Sequence, residues 1–188
     1  APDLETIRAS VEEKLQGTDE FGEAWQIYVY RLKDGARASL GQGRMTAASL
    51  IKLYIMGAVY SSYDDITASN GQEEVDKLLN AMITVSDNDS ANTLVGMLGN
   101  GNDAAGQEAV NTYCKNNGYT DTSMGRMLLE KASANENYTS ARDCSVFLKN
   151  IYENKLEHSE DMLNLLKQQT RTEKIPKGVP AGVETANK

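Results

Sequence analysis

The spacing of apolar residues changes twice within the first third of the chain. Leu4, Ile7, Val11 and Leu15 recur at helical intervals, which predicts an amphipathic helix over 2–16 with Gly17 at its end. Over 24–32 the period drops to two. Trp25, Ile27 and Val29 share one face of a strand, and Gln26, Tyr28 and Tyr30 share the other. Asp34-Gly35 is a hairpin signal, and a second strand over about 36–41 follows it. From Met45 to Ser62 the apolar residues wrap almost all round a helix: Leu50, Ile51, Leu53, Tyr54, Ile55, Met56, Ala58 and Val59. Such a helix belongs in the centre of the molecule. Thr46 is its expected N-cap.

The rest of the chain reads as helices separated by stops. Residues 73–85 carry Val75, Leu78, Leu79, Met82 and Ile83 on one face and end at the turn-forming Ser86-Asp87-Asn88. Short helices follow over 91–98, stopped by Gly99-Asn-Gly101, and over 104–117, stopped by Gly118. Residues 119–137 have no clear period and read as a loop with local helix. Helices return over 140–152, with Cys144, Phe147, Leu148 and Ile151 inward, and over 161–169. Pro176, Gly178, Pro180 and Gly182 make 174–182 a loop, and 183–188 reads as the start of a strand.

Composition narrows the class. A chain of 188 residues, 40% hydrophobic and 24% charged, is one large domain or two small subdomains. It has no apolar run long enough to span a membrane. The formal net charge is −8, and Lys and Arg form no basic stripe, so nucleic acid is not an expected partner. A start at Ala1 fits a mature secreted protein as well as any other. Cys114 and Cys144 are the only cysteines, either two buried thiols or one disulfide. Each falls on the inward face of a predicted helix. A disulfide is the expectation, worth roughly 3 kcal/mol for a loop of about 30 residues. His158, the only histidine, lies in a polar stretch, so no His-based triad or zinc site is expected. The sequons Asn88-Asp-Ser90 and Asn137-Tyr-Thr139 read as coincidence, the first because it overlaps the chemistry below.

That chemistry begins at Ser49 and Lys52. Ser-x-x-Lys places a hydroxyl and an amine one helical turn apart on one face. A lysine kept neutral by burial takes the serine proton and makes a nucleophile. In a chain of this composition Ser-x-x-Lys is expected about once by chance, but Ser-Asp-Asn only roughly 0.07 times. The chain has both, in that order.

The stretches Met45-Thr-Ala-Ala-Ser49-Leu-Ile-Lys52, Ile83-Thr-Val-Ser86-Asp87-Asn88 and Ala186-Asn187-Lys188 resemble the penicillin-recognising serine hydrolases, closest to class A β-lactamases. The resemblance implies an α/β (α+β) fold, with an antiparallel sheet built from both chain ends and an all-helical subdomain. Residues 1–45 would form the first helix and hairpin, 46–172 the helical subdomain, and 173–188 the return to the sheet. The C-terminal strands are expected outside this chain, as a remainder of the same domain. The resemblance assigns Ser49 as nucleophile, Lys52 as its base and Ser86 as proton donor to the leaving nitrogen. Asn88 would hold the substrate amide and Lys188 the substrate carboxylate. It implies a small β-lactam or peptidoglycan-peptide substrate, no cofactor, no metal, and a secreted, cell-surface or periplasmic location in a bacterium. The alternative is a non-catalytic or esterase-type relative that binds cell-wall peptide.

Two departures stand out. The segment between the nucleophile helix and Ser86 is short. The loop reads Arg126-Met-Leu-Leu-Glu130-Lys-Ala-Ser-Ala-Asn-Glu136-Asn137, without the Glu-x-x-Leu-Asn that activates the deacylating water. Asn137 stands where the family tends to place an aspartate paired with the loop arginine. The expectation is therefore a loop without its closing salt bridge, with Glu130 and Glu136 as solvated surface charges and slow deacylation.

Overall fold

A computed structural model describes residues 3–16, 25–131 and 135–188. Gly17 and the first residue of the expected strand at 24 lie outside the described residues. Helix α1 (Leu4–Gln16) lies against a hairpin of β1 (Ile27–Tyr30) and β2 (Arg37–Leu40), paired antiparallel from Ile27–Leu40 to Tyr30–Arg37. The turn is set where expected: Arg31 N–H donates to Ala36 O, and Gly35 takes φ 73°, which a side chain resists. The apolar stripe of α1 is only half covered, and none of its residues is fully buried.

All ten residues of α2 (Ile51–Tyr60) are buried, as its apolar circumference requires. Around it stand α3 (Tyr63–Asn70), α4 (Gln72–Thr84), α5 (Asn88–Leu98) and α6 (Asp103–Asn116). Helix α3 has no counterpart in the sequence reading, because only Ile66 among its eight residues is buried and its pattern is otherwise polar. Gly106 allows α5 and α6 to touch, since a Cβ there would collide with the Val95 carbonyl. Helices α7 (Ala141–Tyr152) and α8 (Ser159–Lys167) close the bundle, and α7 also packs on β1.

Three local expectations change. Thr46 is not a cap. With Met45 it forms strand β3, paired to β4 (Tyr138–Thr139). Residues 183–188 belong to no strand among the described residues; they are tied to α8 by Asn187 N–H donating to Leu166 O and by the Lys167–Glu184 ion pair. Cys114 and Cys144 are not bonded to each other. The Cys144 thiol instead lies 3.5 Å from Tyr54 OH and 3.7 Å from Thr139 Oγ1, while Cys114 is packed in the core, where burial pushes its thiol up to about 12. An apolar groove of about 770 Å³ runs between the hairpin and helices α7 and α8; Trp25, Val29, Leu148 and Tyr152 line it.

Candidate active site

Ser49 lies in a 3-10 turn (Ala48–Leu50) that leads into α2. The approach to that turn is fixed from outside. Ala47 N–H donates to Asn137 O at 2.8 Å, and β3 pairs with β4 just upstream. Ala48 then adopts φ 45°, a left-handed conformation that alanine rarely takes. Ser86, across the site, has φ 64°. Two non-glycine residues held in this region beside one lysine store strain where the chemistry is concentrated.

Lys52 is that lysine. It is fully buried, and its Nζ lies 2.6 Å from Asn88 Oδ1, 2.8 Å from Ser86 O, 3.2 Å from Ser49 Oγ and 3.2 Å from Ser86 Oγ. Burial lowers its pKa to about 8, opposed by the Asp87 carboxylate and assisted by the positive charge of Arg171. Asp87 also caps α5: its carboxylate accepts from Ser90 N–H at 2.7 Å, and its own pKa is depressed by hydrogen bonds from Ser90. One turn-forming tripeptide therefore stops α4, starts α5 and delivers three groups around one amine.

The donor arithmetic at Nζ fits a base. A neutral amine has two N–H groups and one lone pair. The Asn88 and Ser86 carbonyl oxygens can only accept, so they take both N–H groups. The lone pair is left for a hydroxyl, that of Ser49 or Ser86. A protonated amine donates its third N–H to one of the same hydroxyls.

Lys188 reaches the site from the C-terminal segment. Its Nζ donates to Met82 O at 2.7 Å and Ile83 O at 3.1 Å, at the end of α4. Burial, then the charges of Lys52 and Arg171, lower its pKa to about 7. The end of α4 is tied twice more: Gln169 Nε2 donates to Ile83 O, and Thr170 donates through N–H and Oγ1 to Thr84 O. The expected set Ser49, Lys52, Ser86 and Asn88 thus meets at one atom, while Lys188 is placed alongside on the same helix end.

The loop over 119–139 departs from expectation. Its salt bridge exists: Arg126 Nε and Nη2 bond Glu136 Oε1 and Oε2 at 2.8 and 3.1 Å. Glu136, next to the expected position, supplies the carboxylate, and it is largely shielded rather than solvated. Asn137 has a different task. It is buried, and its Oδ1 accepts from Gly125 and Arg126 N–H. Glu130 is exposed, and its Oε2 accepts from Met127 N–H at 3.1 Å. The sequence reading missed Asn92. Its side-chain amide bonds Leu128 in both directions, Nδ2 to the carbonyl at 2.9 Å and Oδ1 from the N–H at 2.8 Å. Asn92 is one helical turn after Asn88, so this clamp sets Leu128 beside the site; the signal available was that i, i+4 spacing.

The fold is that of solved β-lactamase structures. A β-lactamase from Sphaerobacter thermophilus superposes with a TM-score of 0.75 at 21% identity, covering 96% of this chain and 76% of the other. PBP-A superposes with a TM-score of 0.79 at 20% identity, over 96% and 75%. An ancestral class A β-lactamase gives 0.75 at 20%, over 96% and 77%. This chain therefore spans about three quarters of their length. Comparison with curated protein sequences gives no match. Residues 65–188 match the sequence profile of the Beta-lactamase enzyme family, about two thirds of the chain, and the chain belongs to that family of serine hydrolases.

Proposed function

We propose that the protein is an acyl-transfer enzyme in which Ser49 attacks a β-lactam or a D-Ala-D-Ala-like amide and the acyl-enzyme deacylates slowly. The observation that carries this reading is the position of Lys52 Nζ, within 3.2 Å of both Ser49 Oγ and Ser86 Oγ. In acylation, Ser49 Oγ bonds the carbonyl carbon and its proton passes to neutral Lys52. The scissile C–N bond then breaks. The leaving nitrogen takes a proton from Ser86 Oγ, which recovers one from Lys52. Atoms and charge balance, and Lys52 ends neutral. Asn88 orients the substrate amide through the side-chain face that Lys52 does not occupy.

Deacylation needs a base for water. The two glutamates of the loop are otherwise engaged, Glu136 by Arg126 and Glu130 by Met127 N–H, and the residue clamped next to α5 is the apolar Leu128. The trapped ester is the expected resting product. Cell-wall peptide would be the natural substrate, met outside the cytoplasm.

Labelling with a fluorescent penicillin tests the reading. A covalent adduct on Ser49 that turns over slowly, absent in Ser49→Ala, is the expected result. Burst-free, rapid nitrocefin hydrolysis would overturn slow deacylation. No adduct under any condition would favour a non-catalytic relative.

A further inference from the structure

The turn that carries Ser49 is flanked by strand β3 and helix α2, and one residue is tied to both. Thr139 is the register partner of Met45 in the β3–β4 pair, and its Oγ1 lies 2.8 Å from Tyr54 OH in α2. Ser49 stands in the arc between Met45 and Tyr54. Both Tyr54 and Thr139 are buried, so neither hydroxyl can turn to solvent for a substitute partner.

The direction of the bond between them is fixed from farther away. Thr122 Oγ1 lies 3.0 Å from Thr139 Oγ1 and 2.9 Å from Asp143 Oδ2. Asp143 is fully buried, and the same oxygen accepts from Asp121 N–H at 2.9 Å. A carboxylate only accepts, so the single Thr122 proton goes to Asp143. Thr122 must then accept from Thr139. With its own proton so used, Thr139 accepts from Tyr54. Three hydroxyls therefore point one way, toward one buried anion, and each polarises the next. Thr139 cannot rotate without breaking two of these bonds.

What lies inside the arc is strained. Ala47 N–H is held by Asn137 O, and Ala48 follows it at φ 45°. Such a conformation persists only where its surroundings over-determine it. The β3–β4 pair fixes one end of the arc, and the Tyr54–Thr139 bond fixes the other to the same strand.

We propose that Thr139 is a positioning residue for acylation: its backbone holds β3 and its hydroxyl holds Tyr54, which keeps Ser49 Oγ at 3.2 Å from Lys52 Nζ. This rests on the acyl-transfer reading above. Thr139 acts through the turn, being buried beneath it, and not by contact with substrate.

The test separates the acylation rate constant from the preceding binding step, with penicillin as the probe and the intact protein. Thr139→Val keeps the shape and removes the hydroxyl. It should slow acylation by about tenfold to a hundredfold, the effect of a small misplacement of a reacting group, with binding within about twofold of the wild type. Thr139→Ser should recover most of the rate. Tyr54→Phe cuts the same bond from the helix side and should give the same loss, and the double variant should be no slower than Thr139→Val, because both act through one contact. Cys144→Ala alters the same cluster, 3.5 Å from Tyr54 OH, without cutting that bond, and should acylate like the wild type. Acylation unchanged in both Thr139→Val and Tyr54→Phe overturns the proposal, as does a loss shared equally by Cys144→Ala. A second arm needs no substrate: hydrogen exchange at the Ala47 amide should quicken about fivefold in Thr139→Val and Tyr54→Phe, the range of one lost hydrogen bond, and not in Cys144→Ala. If the wild type forms no adduct, the acyl-transfer reading fails by itself and this exchange decides: faster exchange in the two variants supports the positioning role, and unchanged exchange overturns it.

Discussion

The helix-borne polar group around Lys52 and the loop over 119–139 face the same site and treat charge in opposite ways. Around Lys52 the amine is shared among four oxygens, none of them a carboxylate, and burial keeps its pKa near 8. In the loop both glutamates have a local partner. Glu136 is bound twice by Arg126, and Glu130 accepts from a backbone N–H. A base must have a proton-accepting orbital free at the reacting atom. The first region offers one beside Ser49 Oγ, whereas the glutamates of the second are each held by a neighbour in the loop. That contrast is what the proposed slow deacylation rests on.

The strongest way to break this comparison is to remove the amine. Lys52→Met should lower the rate of penicillin labelling by about 10³-fold, within the 10²–10⁴ range of a general base. It should leave the melting temperature unchanged or raise it, because an apolar side chain of similar length replaces a buried cation. Loss of folding together with labelling would show that Lys52 holds the site together instead. Stopped-flow labelling and a thermal melt separate the outcomes.

The opposite change gives the loop what it lacks. Leu128 is clamped to Asn92 and is 9% exposed. Leu128→Glu should place a carboxylate beside α5 and speed deacylation by about 10²-fold, the lower end for general-base help. The measurement is decay of the labelled adduct. An unchanged decay would mean that the clamp aims this side chain away from the ester.

The two regions were not equally legible in the sequence. The period of Leu50 to Val59 predicted a central helix, and Ser49, Lys52, Ser86 and Asn88 could be paired because helical geometry and a tight turn fix their spacing. The loop obeys no period. Its order comes from long-range bonds, such as Ala47 to Asn137 and Asn92 to Leu128, which join residues distant in the chain. The salt bridge was misjudged because the carboxylate moved by one residue, from the position of Asn137 to Glu136. Strand β3 was taken for the start of a helix because Met45 and Thr46 pair with Tyr138 and Thr139, which no local pattern announces.

Acylation should respond to pH with a sign set by Lys52. The reactive form is the neutral amine, and with a pKa near 8 its share rises from about one tenth at pH 7 to about nine tenths at pH 9, a gain of about tenfold. Lys188, with a pKa near 7, loses its charge across the lower part of that range. Affinity for a carboxylate substrate should weaken slightly as the rate climbs. A pH–rate profile that falls between 7 and 9 would remove Lys52 from the role of base.

The loop's own bonds predict smaller effects. Glu136→Gln leaves Arg126 without its carboxylate, while the amide oxygen keeps an acceptor for Asn137 N–H, which Glu136 Oε1 takes at 2.7 Å. The melting temperature should drop, and limited proteolysis should cut within 126–137 a few-fold faster. Labelling should change less, because Ala47 remains bonded to the Asn137 carbonyl. Loss of labelling equal to that of Lys52→Met would mean that the ion pair, and not the β3–β4 bridge, positions Ser49.

Glu130 provides the smallest and most discriminating change. Its side chain is exposed and engaged by Met127 N–H, a bond that glutamine keeps through its carbonyl oxygen. Glu130→Gln therefore preserves the loop geometry and removes only basicity. If the loop contributes no base, adduct formation and adduct decay should both stay within about twofold of the wild type, the scatter of a surface substitution near 0.5 kcal/mol. A decay slowed by tenfold or more, with acylation unchanged, would identify Glu130 as a base acting through a rearranged loop. That one result would reverse the contrast between the two regions, because the loop would then carry the water-activating step that Leu128 and Glu136 deny it here.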